Sequence, residues 1–249
     1  MQMEINGKLQ KNSSSPWAGR QFSRAIGHRR FAIGDVHGCS KTLRALVEEK
    51  ICLLADDTLY LLGDYIDRGP DSKGVLDYLL DLWNSNYDIR PLRGNHEQLL
   101  LDSVSDLESQ RLWYNNGGWG TMREFGVTSP AEIPQLYRDF LGLLPRLIVT
   151  DDYVLTHAGL DFKTADPIHD TSDYDLLWIR DSNVQPEKLG GRTLVCGHTV
   201  TPLFTIEQSL HSSVIYLDNG CFDKGHSCYG SLVALNLDTR KLLVQENIE

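Results

Sequence analysis

The chain has 249 residues, 41% hydrophobic and 23% charged, which is enough for one sizeable core. A formal net charge of -10 excludes a nucleic-acid or anionic-membrane binder that works by bulk attraction, while a local basic pocket for a small anion stays compatible with it. No apolar run is long enough to span a bilayer, and the first thirty residues lack the apolar core of a signal peptide. Five cysteines without a CxxC pair suit reduced thiols, so the expected location is the cytoplasm.

Residues 1–28 are polar, contain "NSSSP", and read as a flexible N-terminal tail. From Arg29 the pattern turns regular. "RRFAIG" is a short apolar strand, and "SKTLRALVEEK" has helical spacing at Leu43, Leu46 and Val47. "TLYLLG" is a second strand, followed by a helix "SKGVLDYLLDLWNS" with Val75, Leu76, Leu79 and Leu80 inward. "DIRPLRG" is a third strand, opening into the helical "HEQLLLDSV". This β-α-β-α-β order predicts parallel strands joined by right-handed crossovers. Residues 106–145 read as mostly helical, with a "YNNGGWG" turn and a helix starting at Ser129-Pro130 and ending near Leu144. The second half is strand-rich: "RLIVT", "YVLTHAG", "TLVCGHT", "SVIYLDNG", and a final hairpin turning at Asp238-Thr239. The expectation is an α/β chain in which two sheets, one from each half, stack as a sandwich with helices outside. Residues 29–249 would form one catalytic domain.

The strand ends share one feature. "GDVHG" places Asp35 and His37 after the first strand, "GDYIDRG" places Asp64, Asp67 and Arg68 after the second, and "GNHE" places Asn95, His96 and Glu97 after the third. "VLTHAG" and "LVCGHT" add His157 and His198. The carboxyl ends of parallel strands are where open α/β sheets form their binding crevice. One such residue would be a cap or a hydrogen-bonded turn. Five sets of carboxylate, imidazole and amide groups point instead to one shared site. Two carboxylates, three histidines and an asparagine are mixed O/N ligands that suit manganese, iron or zinc better than calcium. Six protein ligands are too many for one catalytic ion with an open position. Shared between two ions, with one carboxylate bridging, they leave room for a bridging hydroxide, as in two-metal hydrolysis.

The set "GDVHG…GDYIDRG…GNHE…HAG…GH", with about thirty residues between the first three motifs, resembles the phosphoprotein phosphatase branch of the calcineurin-like metallophosphoesterases, closest to compact bacterial and phage serine/threonine protein phosphatases. The resemblance runs from about Arg29 to the C-terminus. It implies the metallo-dependent phosphatase fold, a four-layer αββα arrangement of two mixed β-sheets flanked by helices. It also implies two divalent ions per chain, with manganese expected and iron or zinc as alternatives. Asp35, His37 and Asp64 would hold the first ion; Asp64 would bridge to a second, completed by Asn95, His157 and His198. His96 would be the general acid, oriented by Asp67. Arg68 would bind the substrate phosphate, with Asn95 facing it, and a second arginine is expected at Arg180 in "LLWIRDS" rather than at Arg192. Glu97 would be structural, accepting from backbone or from Arg68. "NNGGWGT" resembles the "NGG…T" segment of bacterial members and would wall the cleft, with Tyr114 and Trp119 serving there or in packing. The extended tyrosine-bearing loop of eukaryotic members is replaced by "LDNGCFDKGHSCYG", where Tyr229 is not a clear equivalent.

The implied activity is metal-dependent hydrolysis of phosphomonoesters in phosphoproteins or phosphopeptides, by a monomer that binds neither nucleic acid nor membrane. One rival is a dinucleoside tetraphosphate hydrolase on the same fold; members with that activity typically lack the aspartate that Asp67 supplies. A rival of another class is an inactive metal-binding module, against which every expected ligand and the acid are present.

Overall fold

The structure, a computed structural model, describes residues 28–180 and 183–249. The tail expected over residues 1–28 therefore lies, except for His28, outside the described residues. Three parallel strands open the fold: β1 (Arg30–Ile33), β2 (Thr58–Leu61) and β3 (Asp88–Pro91). Between them run α1 (Ser40–Ala45), which continues as a π-turn over Leu46–Ile51, and α2 (Ser72–Asn84), whose N-cap Asp71 accepts from the Gly74 amide. After β3 come α3 (Asn95–Ser103), α4 (Leu107–Trp113), a kinked turn over Tyr114–Gly118, α5 (Trp119–Phe125) and α6 (Gln135–Leu143).

The predicted helix from Ser129 to Leu144 is broken. Pro130–Glu132 form a single 3-10 turn, and α6 starts only after Pro134. Proline tolerates a first helical turn but cannot accept a continuing helix before it, because it lacks the amide proton and its ring crowds the preceding residue.

The second sheet is β4 (Leu147–Val149), β5 (Tyr153–Thr156), β6 (Thr193–Cys196) and β7 (Val214–Tyr216), in that order. Short helices α7 (Pro167–Asp170), α8 (Asp173–Trp178) and α9 (Leu203–Ser209) connect these strands. The closing hairpin, β8 (Ser231–Asn236) and β9 (Lys241–Glu246), corrects the one-sheet-per-half expectation. β8 pairs antiparallel with β1, giving a five-stranded sheet of order β3-β2-β1-β8-β9. Its pattern shows why: Leu232 and Ala234 face the helices over the first sheet, while Val233 and Leu235 face the second sheet. A strand apolar on both faces is stable only inside a sandwich.

The same alternation sets the layers. Phe31, Ile33, Leu59 and Leu61 pack under α1–α3, whereas Ala32, Tyr60 and Leu62 meet Leu155, Val195 and Ile215 of the second sheet. Val154 and Leu194 point outward to Leu176 of α8. The fold is thus two mixed sheets packed face to face with helices on both outer sides. Among the described residues no helix is long and apolar enough to cross a membrane.

Candidate metal centre and active site

Register brings the motifs together. Ile33 pairs with Leu61 and Leu61 with Pro91, so the loops after β1, β2 and β3 leave the sheet side by side. In the second sheet Leu155 pairs with Val195, which sets His157 beside the loop bearing His198, and the Gly197 amide donates to the His157 carbonyl at 2.8 Å. Close approach demands Gly94: a Cβ there would lie 2.2 Å from Asp64 Oδ1. His37, Asp64, Asp67, Arg68 and His198 all adopt positive φ, between 46° and 71°. Each such residue costs on the order of 1–3 kcal/mol, and such strain collects where a site over-determines the backbone.

Two buried groups meet at Asp64: His37, Asp64 and His96, and Asp64, His157 and His198, the ligating atoms of each lying within 4.8 Å of one another. His37 donates from Nδ1 to the Ile66 carbonyl at 2.9 Å, which leaves the Nε2 lone pair 3.4 Å from Asp64 Oδ2 and 3.0 Å from Arg68 Nη1. His157 donates from Nδ1 to the Leu62 carbonyl at 2.8 Å, and its Nε2 faces Asn95 Oδ1 at 2.8 Å and Asp64 Oδ1 at 3.4 Å. His198 sets Nδ1 2.9 Å from the same Asn95 oxygen, while its buried Nε2 has no hydrogen-bond partner.

Asp35, after β1, reaches the loop after β6, where its carboxylate accepts from the His198 amide at 3.1 Å, next to the two groups that share Asp64. Arg180 sits exposed at the rim, with Nη1 3.3 Å from Thr199 Oγ1, and its charge reaches His157, His198 and Asp218. Arg192 is turned away, donating to the carbonyls of Thr150 and Leu189. Glu97 accepts from the amides of Asp64, Tyr65 and Gly94, each at 2.8 Å, and from no arginine among the described residues, so it ties the second and third loops together.

His96 and Asp67 form a second feature. His96 Nδ1 lies 2.7 Å from Asp67 Oδ2, and its Nε2 is buried without a partner. Asp67 is held from two further sides, by Trp113 Nε1 at 2.9 Å and Thr121 Oγ1 at 2.6 Å. The turn between α4 and α5 can deliver those donors because Gly117, at φ 114°, lies against Asp67 and Arg68, where a Cβ would be 2.9 Å from the Arg68 nitrogen.

The electrostatics suit bound cations. Burial, then the charges of Asp218 and Asp64, push the Asp35 carboxyl well above its usual range. Burial also pushes Asp64 up, but the surrounding histidines His157, His96 and His37 outweigh it and hold Asp64 ionised. Burial lowers His37 and His157 against the pull of Asp64, and lowers His198 to about 3, so burial works toward their neutral form, the form that ligates metal. Asp218, after β7, is pushed up to about 6 by burial, and its Oδ2 has no partner. Asp35, His37, Asp64, Asn95, His96, His157 and His198 are each at most 7% exposed. Burying unpaired polar atoms costs roughly 1–3 kcal/mol each, and acceptors facing acceptors add repulsion. Two divalent ions would relieve both, so the residues present fit them; Asp64 lies where it could serve both ions.

The family model for calcineurin-like phosphoesterases matches residues 28–229. Serine/threonine-protein phosphatase 1 of Salmonella typhimurium is 41% identical over 163 residues, covering 65% of this chain and 72% of its own. The symmetrical bis(5'-nucleosyl)-tetraphosphatase of Hamiltonella defensa is 35% identical over 141 residues, 54% of this chain and 47% of its own. A solved structure assigned provisionally as a diadenosine tetraphosphatase superposes with a TM-score of 0.65 at 21% identity, over 89% of this chain and 95% of its own, which is a likeness of fold. With its two mixed sheets, its strand-end histidines and carboxylates and this family match, the chain belongs to the calcineurin-like phosphoesterases, metal-dependent hydrolases, in their phosphoprotein phosphatase branch.

Proposed function

We propose that this chain hydrolyses phosphomonoesters of serine and threonine in proteins. The observation that carries the reading is the buried Asp67–His96 pair, with His96 Nε2 unpartnered beside Asp64. Alkyl phosphates leave as poor, strongly basic alkoxides and need a proton in the transition state. Burial disfavours the charged imidazole, but Asp64 and Asp67 outweigh it and hold His96 above the ordinary histidine range. A protonated His96 can therefore give the Nε2 proton to the departing serine or threonine oxygen, and Asp67 fixes its ring. Arg68 and Arg180, on two sides of the site, would bind the equatorial phosphoryl oxygens, for which the planar guanidinium fork is suited. The two divalent ions, manganese in our reading, would supply an activated water and neutralise charge on the phosphoryl group. His37, Asp64, Asn95, His157 and His198 would hold them, with Asp35 completing the first set.

A polyphosphate leaving group needs less help from an acid, so a buried acid whose aspartate is held by His96, Trp113 and Thr121 favours phosphomonoesters over dinucleoside tetraphosphates. The test is a comparison of kcat/KM for a phosphoserine peptide and for a symmetrical dinucleoside tetraphosphate, each with and without manganese. The peptide should be preferred. Preference for the dinucleotide would give the rival activity, and no turnover of either would mean a binding module.

A further inference from the structure

We infer that the cleft running outward from Arg68 takes a carboxylate side chain flanking the phosphorylated residue, with Arg123 as its partner. The inference rests on the protein phosphatase reading and names which phosphoproteins the site favours.

A cleft of about 830 Å³ opens beside Arg68, between α5 and the loop that bears Lys224. Its charged lining is Arg68, Arg123 and Lys224 with Glu124 and Glu249, on a chain of net charge -10. The two acidic side chains on its wall are turned inward. Glu124 accepts from the Lys73 amide at 3.0 Å and from Ser72 Oγ at 3.4 Å. The Glu249 side chain, 6% exposed, accepts from the Thr42 amide and hydroxyl. What remains facing the space are Arg68, Arg123 and Lys224, and Lys224 is already engaged by the Glu249 main-chain oxygen. Arg123 is exposed and has no carboxylate partner among the described residues. An unpaired guanidinium beside the phosphate-binding arginine is complementary to a substrate anion one or a few residues from the phosphate.

The rim supplies the rest of a peptide site. Trp119 is 56% exposed, yet its ring is held by stacking on Tyr114, at 4.0 Å between centroids and 27° between planes. A pre-set aromatic surface covers substrate area at little entropic cost. The Gly117 contact that brings Trp113 and Thr121 to Asp67 also fixes this rim against Arg68. One turn thus links the acid's support to the substrate wall.

The experiment uses the full chain loaded with manganese and phosphoserine peptides carrying Glu, Ala, Lys or a second phosphoserine at single positions within three residues on either side. On at least one side kcat/KM should be about fivefold higher for Glu than for Lys at low salt, and the gap should close in high salt. Arg123→Glu should reverse that ratio and Arg123→Ala should bring it near one; the ratio is read within each variant, so a general loss of activity does not obscure it. A second phosphoserine favoured strongly over Glu would make the subsite a phosphate site instead. Phosphopeptide turnover with no charge preference, or with one that Arg123→Glu leaves in place, overturns the subsite while leaving the phosphatase reading intact. Turnover of dinucleoside tetraphosphate alone overturns both.

Discussion

His96 and Asp67 meet at 2.7 Å with both side chains fully buried, and the aspartate is gripped on its other sides by Trp113 and Thr121. An ion pair sealed from water has a defined geometry and a protonation state set by its partners. Asp67→Asn should leave metal content unchanged, since Asp67 stands outside both metal-capable groups. It should slow alkyl phosphates and phosphoserine peptides about tenfold to a hundredfold more than activated aryl phosphates, whose leaving groups depart without a proton. Thr121→Val should shift the same ratio in the same direction by less. A uniform slowdown across leaving groups would assign Asp67 to the geometry of the site and remove the main support for His96 as the acid.

The histidine pair at Asn95 gives a second expectation. His157 Nε2 and His198 Nδ1 both close on Asn95 Oδ1, at 2.8 and 2.9 Å. His157→Ala or His198→Ala should lose one of two bound ions and most of the turnover, with the far-UV circular dichroism unchanged. Chelation of the unaltered chain should abolish activity and lower its thermal midpoint, because binding to the folded state alone stabilises it. Two ions per chain and normal rates in either variant would show that these histidines are not ligands.

These candidate ligands are legible in the sequence for a physical reason: each follows directly on an apolar strand, so local pattern and chemistry sit in one short stretch. Asp218, after "VIYL", carries the same signal, a carboxylate directly following an apolar strand. Trp113 and Thr121 act on Asp67 from 46 and 54 residues away, and no local periodicity reports such a contact. The "NGG…T" segment stands out by its resemblance alone, which does not report the bonds of Trp113 and Thr121 to Asp67. Strands β1 to β3 could be placed by their own periodicity. The seat of the β8–β9 hairpin beside β1 could not, since antiparallel pairing between residues 31 and 236 leaves no trace in either segment. The bond from the His198 amide to Asp35 crosses from the loop after β6 to the loop after β1, and neither segment reports it.

Away from the site, Asp57 should govern part of the acid response. It is 3% exposed and accepts from Arg29 Nε at 3.0 Å and from the Leu54 amide at 2.8 Å. Burial alone would raise its pKa, but these donors outweigh that and hold it below the usual carboxylate range. A lowered folded-state value stabilises fully above the unfolded value of about 4 and is lost as pH falls through the lowered one. Asp57→Asn should therefore cost about 1 kcal/mol near neutral pH, a modest figure because Arg29 is 41% exposed. In urea unfolding the gap to the parent should narrow below about pH 4. A gap independent of pH would mean that Asp57 acts by shape alone.

The two candidate phosphate-binding arginines, Arg180 and Arg192, separate most cleanly. Arg180 stands exposed beside Thr199 with its charge felt at His157, His198 and Asp218, whereas Arg192 is spent on main-chain oxygens of Thr150 and Leu189. A guanidinium that binds phosphate serves both the ground state and the transition state. Its removal should therefore raise KM and lower kcat together. For Arg180→Ala the combined loss in kcat/KM should be on the order of tenfold to a hundredfold, the worth of one charged hydrogen-bonding group. Arg180→Lys should recover only part of it, because an ammonium lacks the planar fork. Arg192→Ala should leave both kinetic constants near the parent values and lower the unfolding midpoint, since it removes a donor from the carbonyls of Thr150, just after β4, and Leu189. If Arg180→Ala changes only stability while Arg192→Ala raises KM, the assignment of the two residues is reversed.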